Sequence, residues 1–198
     1  MKKILYILLL IGCISIPQAN AQRSFFALEY SMGFGSGDIK NYITSSSFRG
    51  VSIEFRQMVT DNVGVGFETG WNVFYERRAY DTYTTGSTSL TGVQYRYVNA
   101  VPLLLATNYY FKPGEHINPF IGLGVGTIYS HRNTDMGLWT LSTEDWQFAL
   151  RPELGVLITT NSNTDIILAA KYMGGFATSD QVAQSYFTFN IGFAFKNY

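Results

Sequence analysis

The sequence predicts an all-β fold: an eight-stranded antiparallel up-and-down transmembrane β-barrel, preceded by a cleaved signal peptide. Three observations carry this prediction. Apolar residues alternate with small or polar ones in eight segments after residue 22, the spacing that sends successive side chains to opposite faces of a strand. Charged residues are only 14% of the chain and aromatic ones 16%, whereas soluble domains carry roughly 25% charge. Within these segments the charges fall almost entirely on the small-residue parity, Arg49 near the external end of its strand and Lys196 near the periplasmic end being the exceptions, which leaves the apolar parity for the outside.

The chain begins MKKILYILLLIGCISIPQANAQ. Two lysines, an apolar run from Ile4 to Ile11 and Ala19-Asn20-Ala21 form the three parts of a secretory signal, and the run is too short to span a bilayer. Residues 1–21 are therefore read as signal peptide and residues 22–198 as one barrel domain. Cys13 is the only cysteine, so the mature chain is expected to hold no disulfide. Leu10-Ile11-Gly12-Cys13 also looks like a lipobox, with Cys13 as a lipidated N-terminus. Apolar Ile14-Ser15-Ile16 in place of a polar spacer, together with the Ala-x-Ala site, favours removal.

The first strand, FFALEYSMGFG, sets Phe26, Leu28, Tyr30, Met32 and Phe34 against Ala27, Glu29, Ser31, Gly33 and Gly35. RGVSIEFRQM sets Val51, Ile53 and Phe55 against Ser52, Glu54 and Arg56, and VGVGFETGWNVFY sets Val63, Val65, Phe67 and Trp71 against Gly64, Gly66 and Glu68. Further strands are expected at about 93–111, 119–129, 145–158, 164–174 and 184–195. In the last, Phe187, Phe189, Ile191, Phe193 and Phe195 share one face. Pro102 and Pro152 fall inside strands, where a missing donor calls for bulges; Leu103-Leu104-Leu105 leaves the parity after Pro102 open.

Connections alternate in length. Those at Thr60-Asp61-Asn62, FKPGEHIN and TTNSN are short, while 36–47, 76–92, 130–144 and 175–183 are longer and polar, the habit of outer-membrane barrels with short periplasmic turns and longer external loops. Both termini are then expected in the periplasm. Trp71, Tyr75, Tyr109, Tyr129 and Tyr172 near strand ends fit interfacial girdles.

With the apolar parity facing lipid, Glu29, Glu54, Arg56, Glu68, Arg151, Glu153 and Lys171 all point inward, and Arg96 points inward near the external rim. The four glutamates count out four to five residues above the periplasmic end, with Arg151 and Lys171 slightly higher and Arg56 slightly lower. Buried charges are tolerable when each has a partner, so these seven residues are expected to form a structural lumen network. An ion path or acid–base site would use the same residue types. The lumen of an eight-stranded barrel is only wide enough for side chains to fill, and no metal-ligand spacing accompanies the cluster, so no catalytic residue, metal or cofactor is assigned.

Zero net charge and no recurring basic cluster exclude the footprint of a nucleic-acid binder. Ser130, His131 and Glu144 are the nearest approach to the constellation of an envelope-lipid-modifying enzyme; a solvated loop is the simpler reading of His131. The segment RRAYDTYTTGSTSLTG opens on Arg77-Arg78, which suits a host ligand or a lipopolysaccharide phosphate, although exposed loops are polar in any case.

VPLLLATNYYF, a short turn, NPFIGLGVG and then RPELGVLI resemble the hairpin pattern of the Bacteroidetes-type small outer-membrane β-barrel proteins, similar in shape to OmpX and the OmpA barrel and including PorT-like members. The resemblance implies insertion into the outer membrane of a Gram-negative bacterium by the barrel assembly machinery, with the last strand as its signal and Tyr198 as the terminal aromatic. It implies no catalytic residue. The expected role is structural or surface-interacting through external loops, in contact with outer-membrane lipids and lipopolysaccharide. The alternatives are a narrow ion or solute channel, given space by Gly64, Gly66, Gly122, Gly124 and Gly126, an envelope-lipid-modifying enzyme, and a soluble lipocalin-like barrel.

Overall fold

The computed structural model describes residues 23–85, 88–160, 163–179 and 182–197; the expected signal peptide, Cys13 within it and the terminal Tyr198 lie outside them. The elements are β1 (Ser24–Ser36), α1 (Gly37–Tyr42), β2 (Ser47–Met58), β3 (Val63–Thr85), β4 (Thr88–Tyr110), β5 (Ile117–Met136), β6 (Trp139–Ile158), β7 (Thr164–Gly175) and β8 (Gln184–Asn197). Each strand pairs antiparallel with the next, and β8 pairs with β1 to close the barrel. That last ladder runs from Ser24↔Asn197 through Leu28↔Phe193 to Ser36↔Ser185. Among the described residues closure leaves no strand edge within the apolar zone, the condition hydrocarbon sets on any strand-built span.

The barrel is apolar outside. Leu105 is 74% exposed and Leu154 62%, and Phe187, Phe189, Ile191, Phe193 and Phe195 all face outward. The charged glutamates, arginines and Lys171 of the opposite parity are buried. A soluble barrel has the reverse arrangement. Through the segment left open in the sequence the parity is continuous, with Leu104 in the lumen and Leu103 and Leu105 outside.

Two expectations are corrected. Residues 76–85, 88–92, 130–136 and 139–144 are strand rather than loop: β3–β4 pairing continues to Thr85↔Thr88 and β5–β6 pairing to Met136↔Trp139. Thr, Tyr and Ser in these stretches suit strands, and hydroxyl pairs cross between them, Thr82 with Thr91 at 2.8 Å and Thr84 with Ser89 at 2.9 Å. Gly137, at φ 59°, opens the two-residue loop of the second hairpin, where a positive φ at the first loop position calls for glycine. Nor do bulges accommodate the prolines. Pro102 keeps its partner Ile128 in β5, and the β3–β4 ladder merely skips from Thr69↔Leu103 to Asn72↔Ala100. Pro152 keeps Leu123, while the β6–β7 ladder skips from Leu150↔Gly174 to Glu153↔Lys171. A proline lacks one donor, so pairing lapses on one side and the register is preserved. The β3–β4 register shift falls between Arg78 and Asp81 instead.

The four long strands make the barrel asymmetric. The β2–β3 ladder ends at Gly50↔Asn72 and the β6–β7 ladder at Ala149↔Gly175, so the outer parts of β3, β4, β5 and β6 rise beyond their neighbours as a four-stranded sheet. The helix α1 turns inward across this mouth, with Ile39 and Ile43 fully buried. They pack with Phe74, Val98, Ala100, Leu104, Ile128, Ala149, Met173 and Tyr186 as an apolar layer. A second apolar layer closes the short-turn end, with Phe25, Ala27, Tyr110, Phe120, Ile167, Ala169 and Ala194. The charged residues lie between the two.

Candidate functional site

The middle of the lumen is built by short inward side chains leaving room for long charged ones. A Cβ at Gly122 would lie 2.5 Å from Glu153 Oε1 and 2.7 Å from Asn108 Nδ2, and one at Gly124 would lie 3.2 Å from Arg151 Nε; the space these two glycines leave is filled by the network rather than open. Glu54 and Glu68 are direct cross-strand partners, and on an exposed sheet like charges so placed would repel. Here Lys171, from the far wall, reaches both.

The structure brings all seven predicted residues together. Lys171 Nζ pairs with Glu54, and lies 2.8 Å from Glu29 Oε2, 3.3 Å from Glu68 Oε1 and 3.9 Å from Glu153 Oε2. Arg56 Nη2 lies 3.0 Å from Glu54 and 3.3 Å from Glu68. Arg151 pairs with Glu68 and, at 3.0 Å, with Glu153. Arg96 lies apart from this group, at the mouth. Sequence reasoning missed the neutral members. Asn108 accepts from Arg56 Nε at 2.7 Å and donates to Glu153 at 2.5 Å. Asn190 donates to Glu29 at 2.7 Å, and Ser52 donates to Glu29 at 3.2 Å. Both asparagines stand on the charged parity, which was their available signal.

One carboxylate oxygen each from Glu54, Glu68 and Glu153 lies within 4.8 Å of the others, a spacing that suits a cation. The cationic groups of Arg56, Arg151 and Lys171 already hold those positions. Taking each ion out of water costs several kcal/mol, offset only where geometry and hydrogen bonds are good; the mutual pairing supplies that offset. Beside the network is a pocket about one water molecule in size, lined by Ser31, Asn72, Tyr186 and Asn190 among others. The paired charges fill the middle of the barrel between the two apolar layers.

Above the apolar layer a second group of charges closes the mouth. Tyr42, at the end of α1, donates its hydroxyl to Asn133 O at 2.8 Å and contacts Thr134 Oγ1. Its ring has the Arg96 guanidinium at 4.8 Å and that of Arg132 at 4.5 Å, both within cation–π range. Arg96 also donates to Tyr42 O at 2.9 Å and to Gln94 at 2.7 Å. Glu76 anchors the segment after α1, accepting from the Thr44 hydroxyl at 2.8 Å and from the amides of Thr44 and Ser45. Burial pushes its carboxyl up, but the Thr44 and Ser45 hydrogen bonds and Arg78 together hold it below the ordinary range.

Ser130 and His131, considered together in the sequence, point to opposite faces: Ser130 is fully buried and His131 is outside. His131 Nε2 lies 2.8 Å from Ser142 Oγ and 3.5 Å from Glu144. Hydroxyl and acid thus meet the same ring nitrogen. A proton relay needs them on different ones.

No protein-family model matches the chain, and no curated protein matches it. Among solved structures it is similar to Ail, the attachment invasion locus protein of Yersinia pestis, in complex with the heparin analogue sucrose octasulfate. That match has a TM-score of 0.56 and 11% identity, and covers 89% of this chain and 99% of Ail. It is similar to the N-terminal β-barrel domain of Pseudomonas aeruginosa OprF, at TM-score 0.51, 10% identity and the same coverage. Neisserial surface protein A matches at TM-score 0.50 and 13% identity, over 89% of this chain and 97% of its own. At these identities the likeness is one of architecture, and together with the inverted apolar surface it gives the chain the fold of the small eight-stranded outer-membrane β-barrels.

Proposed function

We propose that this protein resides in the outer membrane of a Gram-negative bacterium with both termini in the periplasm, and acts at the cell surface as a non-catalytic interaction protein. The observation that carries this reading is the four-stranded sheet standing beyond the mouth. Between Trp139 and Glu144, β6 has a strand partner only in β5 among the described residues, and Leu138, Trp139 and Leu141 are strongly exposed. A free strand edge with exposed apolar side chains accepts an added strand from an extended peptide. The layered lumen weighs against a channel, and the single-nitrogen geometry at His131 weighs against a hydrolase. The barrel assembly machinery and lipopolysaccharide remain the expected partners for insertion and residence. Ail was solved with a heparin analogue, which is consistent with a fold of this kind presenting a ligand surface at its exposed end.

The test replaces residues 79–93 and 135–140 each by Asn-Gly, joining Arg78 to Gln94 and Thr134 to Leu141, which are already cross-strand partners. The shortened barrel is expected to retain heat-modifiable gel mobility while losing adhesion to host matrix and cells. Undiminished adhesion by the shortened barrel overturns the reading.

A further inference from the structure

We propose that Arg78, Arg96 and Arg132, gathered over Tyr42 at the mouth of the barrel, bind a phosphate, sulfate or carboxylate group of a soluble ligand arriving from outside the cell. This deepens the surface-interaction reading and rests on it.

Three adjacent strands supply the three guanidiniums at nearly one height. Arg78 pairs with Gln94 and Glu76 with Arg96 across β3–β4, while Val98 pairs with Arg132 and Arg96 with Thr134 across β4–β5. The parity of all three is that of the lumen, so they project over the barrel axis, where α1 and Tyr42 form a floor. Neutralising charge is scarce. Glu76 contacts Arg78 Nε at 2.7 Å and is also held by Thr44 and Ser45. Asp38 acts on Arg132 at longer range.

Of the three guanidiniums, that of Arg132 also lacks acceptors. Arg132 Nε and Nη2 are shielded from solvent with no hydrogen-bond partner, and Tyr42 covers the Arg132 group by its ring face, which satisfies none of its five donors. Burial and then the Arg78 charge push Arg96 down, and burial pushes Arg132 down, with Arg96 adding to the effect. An oxyanion with several acceptor oxygens supplies both the missing charge and the missing acceptors, and planar guanidiniums match its geometry.

The direction of the cluster selects the source. Arg49 and Arg77 stand on the lipid-facing parity, Arg49 lying over the Tyr75 ring at 5.4 Å, and are placed for headgroup phosphates in the surrounding leaflet. Arg78, Arg96 and Arg132 face the axis, away from that leaflet.

The experiment titrates inorganic phosphate and inorganic sulfate into the full mature protein in zwitterionic lipid nanodiscs, at constant ionic strength, and follows Arg side-chain and backbone amide resonances. Saturable shifts confined to Arg78, Arg96, Arg132 and Tyr42 are expected, with affinity at least tenfold weaker in Arg96→Gln/Arg132→Gln and changed less than twofold in Arg49→Gln/Arg77→Gln. Arg132→Lys keeps the charge and loses the planar fork; intermediate weakening is expected, and it covers the case in which the double variant does not fold. The absence of saturation in the wild type, equal affinity in the folded mouth variants, or perturbation only when lipopolysaccharide is in the disc each overturns the inference. The Asn-Gly shortened barrel retains all three arginines, so it separates the two ideas. Anion binding with adhesion retained sinks the protruding-sheet reading alone, and adhesion lost on shortening with no anion binding sinks this one alone.

Discussion

Lys171→Met removes the group that ties the lumen network together. Its ammonium is the shared partner of Glu29, Glu54, Glu68 and Glu153, so the substitution leaves four buried carboxylates facing the two guanidiniums of Arg56 and Arg151. Methionine fills a similar volume, and the loss is therefore electrostatic rather than steric. Removing one partner of a buried ionic set costs about 3–5 kcal/mol, and at about 1.4 kcal/mol per tenfold the lower figure is already a hundredfold in the folding equilibrium. Glu29→Gln provides the internal control. It brings the count to three acids against three bases, Glu29 Oε1 has no hydrogen-bond partner to lose, and its amide still accepts from Lys171 and Asn190. The expected cost is below about 1 kcal/mol. Urea unfolding in phospholipid vesicles, followed by tryptophan fluorescence and by heat-modifiable mobility, measures both. Combining the two substitutions should recover part of the Lys171→Met loss, since the pair is in direct contact. A Lys171→Met variant within about 1 kcal/mol of wild type, or a Glu29→Gln variant as damaged as it, would refute the claim that paired charge holds this lumen.

Three further outcomes are expected. Leu105→Arg, placed on the lipid face between the levels of Trp71 and Tyr109, should cost about 2–4 kcal/mol in the same vesicle assay, whereas in a barrel soluble in water it would be almost neutral. Planar-bilayer recordings of the intact protein should show flat current, because apolar layers close both ends of the charged zone; stable unitary conductance would contradict the layered lumen. The Glu76 clamp should depend on pH with a definite sign. Its carboxyl titrates below the ordinary value of 4.5, so its stabilisation is present above about pH 4.5 and fades as pH falls through the folded value. Amide exchange at Thr44 and Ser45 should accelerate there, and Glu76→Gln should give the fast exchange at neutral pH; exchange independent of both would remove the clamp.

Much of this was legible in the chain because a strand has a strict period of two. Glu29, Glu54, Glu68 and Glu153 sit in four different segments, yet parity alone put them on one side and distance from the short turns put them near one height. The same rule applied to Asn108 would have found it too, had the three leucines after Pro102 not obscured which face it occupied. Length defeated the reading elsewhere. The stretch GDIKNY is too short to show helical periodicity, and nothing local says that Ile39 and Ile43 turn into the barrel; that follows only once Phe74, Val98 and Tyr186 present a cavity to fill. The hairpins beyond residue 76 and residue 130 were misread because polar composition signals water, not irregular backbone. The outer part of a barrel strand that leaves the membrane keeps its ladder while losing its apolar face.

The order of layers along the axis then limits where function can reside. At the short-turn end, Phe25, Tyr110 and Phe120 close the lumen, with Phe25 and Tyr110 meeting edge to face at 6.4 Å, and short turns offer little surface beyond. In the middle, every charged group is engaged by another and solvent has room for about one molecule. At the mouth lumen-parity side chains meet water, and there the charges are unbalanced, with Arg78, Arg96 and Arg132 against Glu76 and, at longer range, Asp38. The outward surface at the same height is different again, aromatic and basic, with Tyr75 against Tyr97 at 4.9 Å and Arg49 over the Tyr75 ring, a composition that suits the rim of a lipid leaflet. One wall of strands thus presents two chemistries by parity alone, and the proposed anion site lies on the face turned away from lipid.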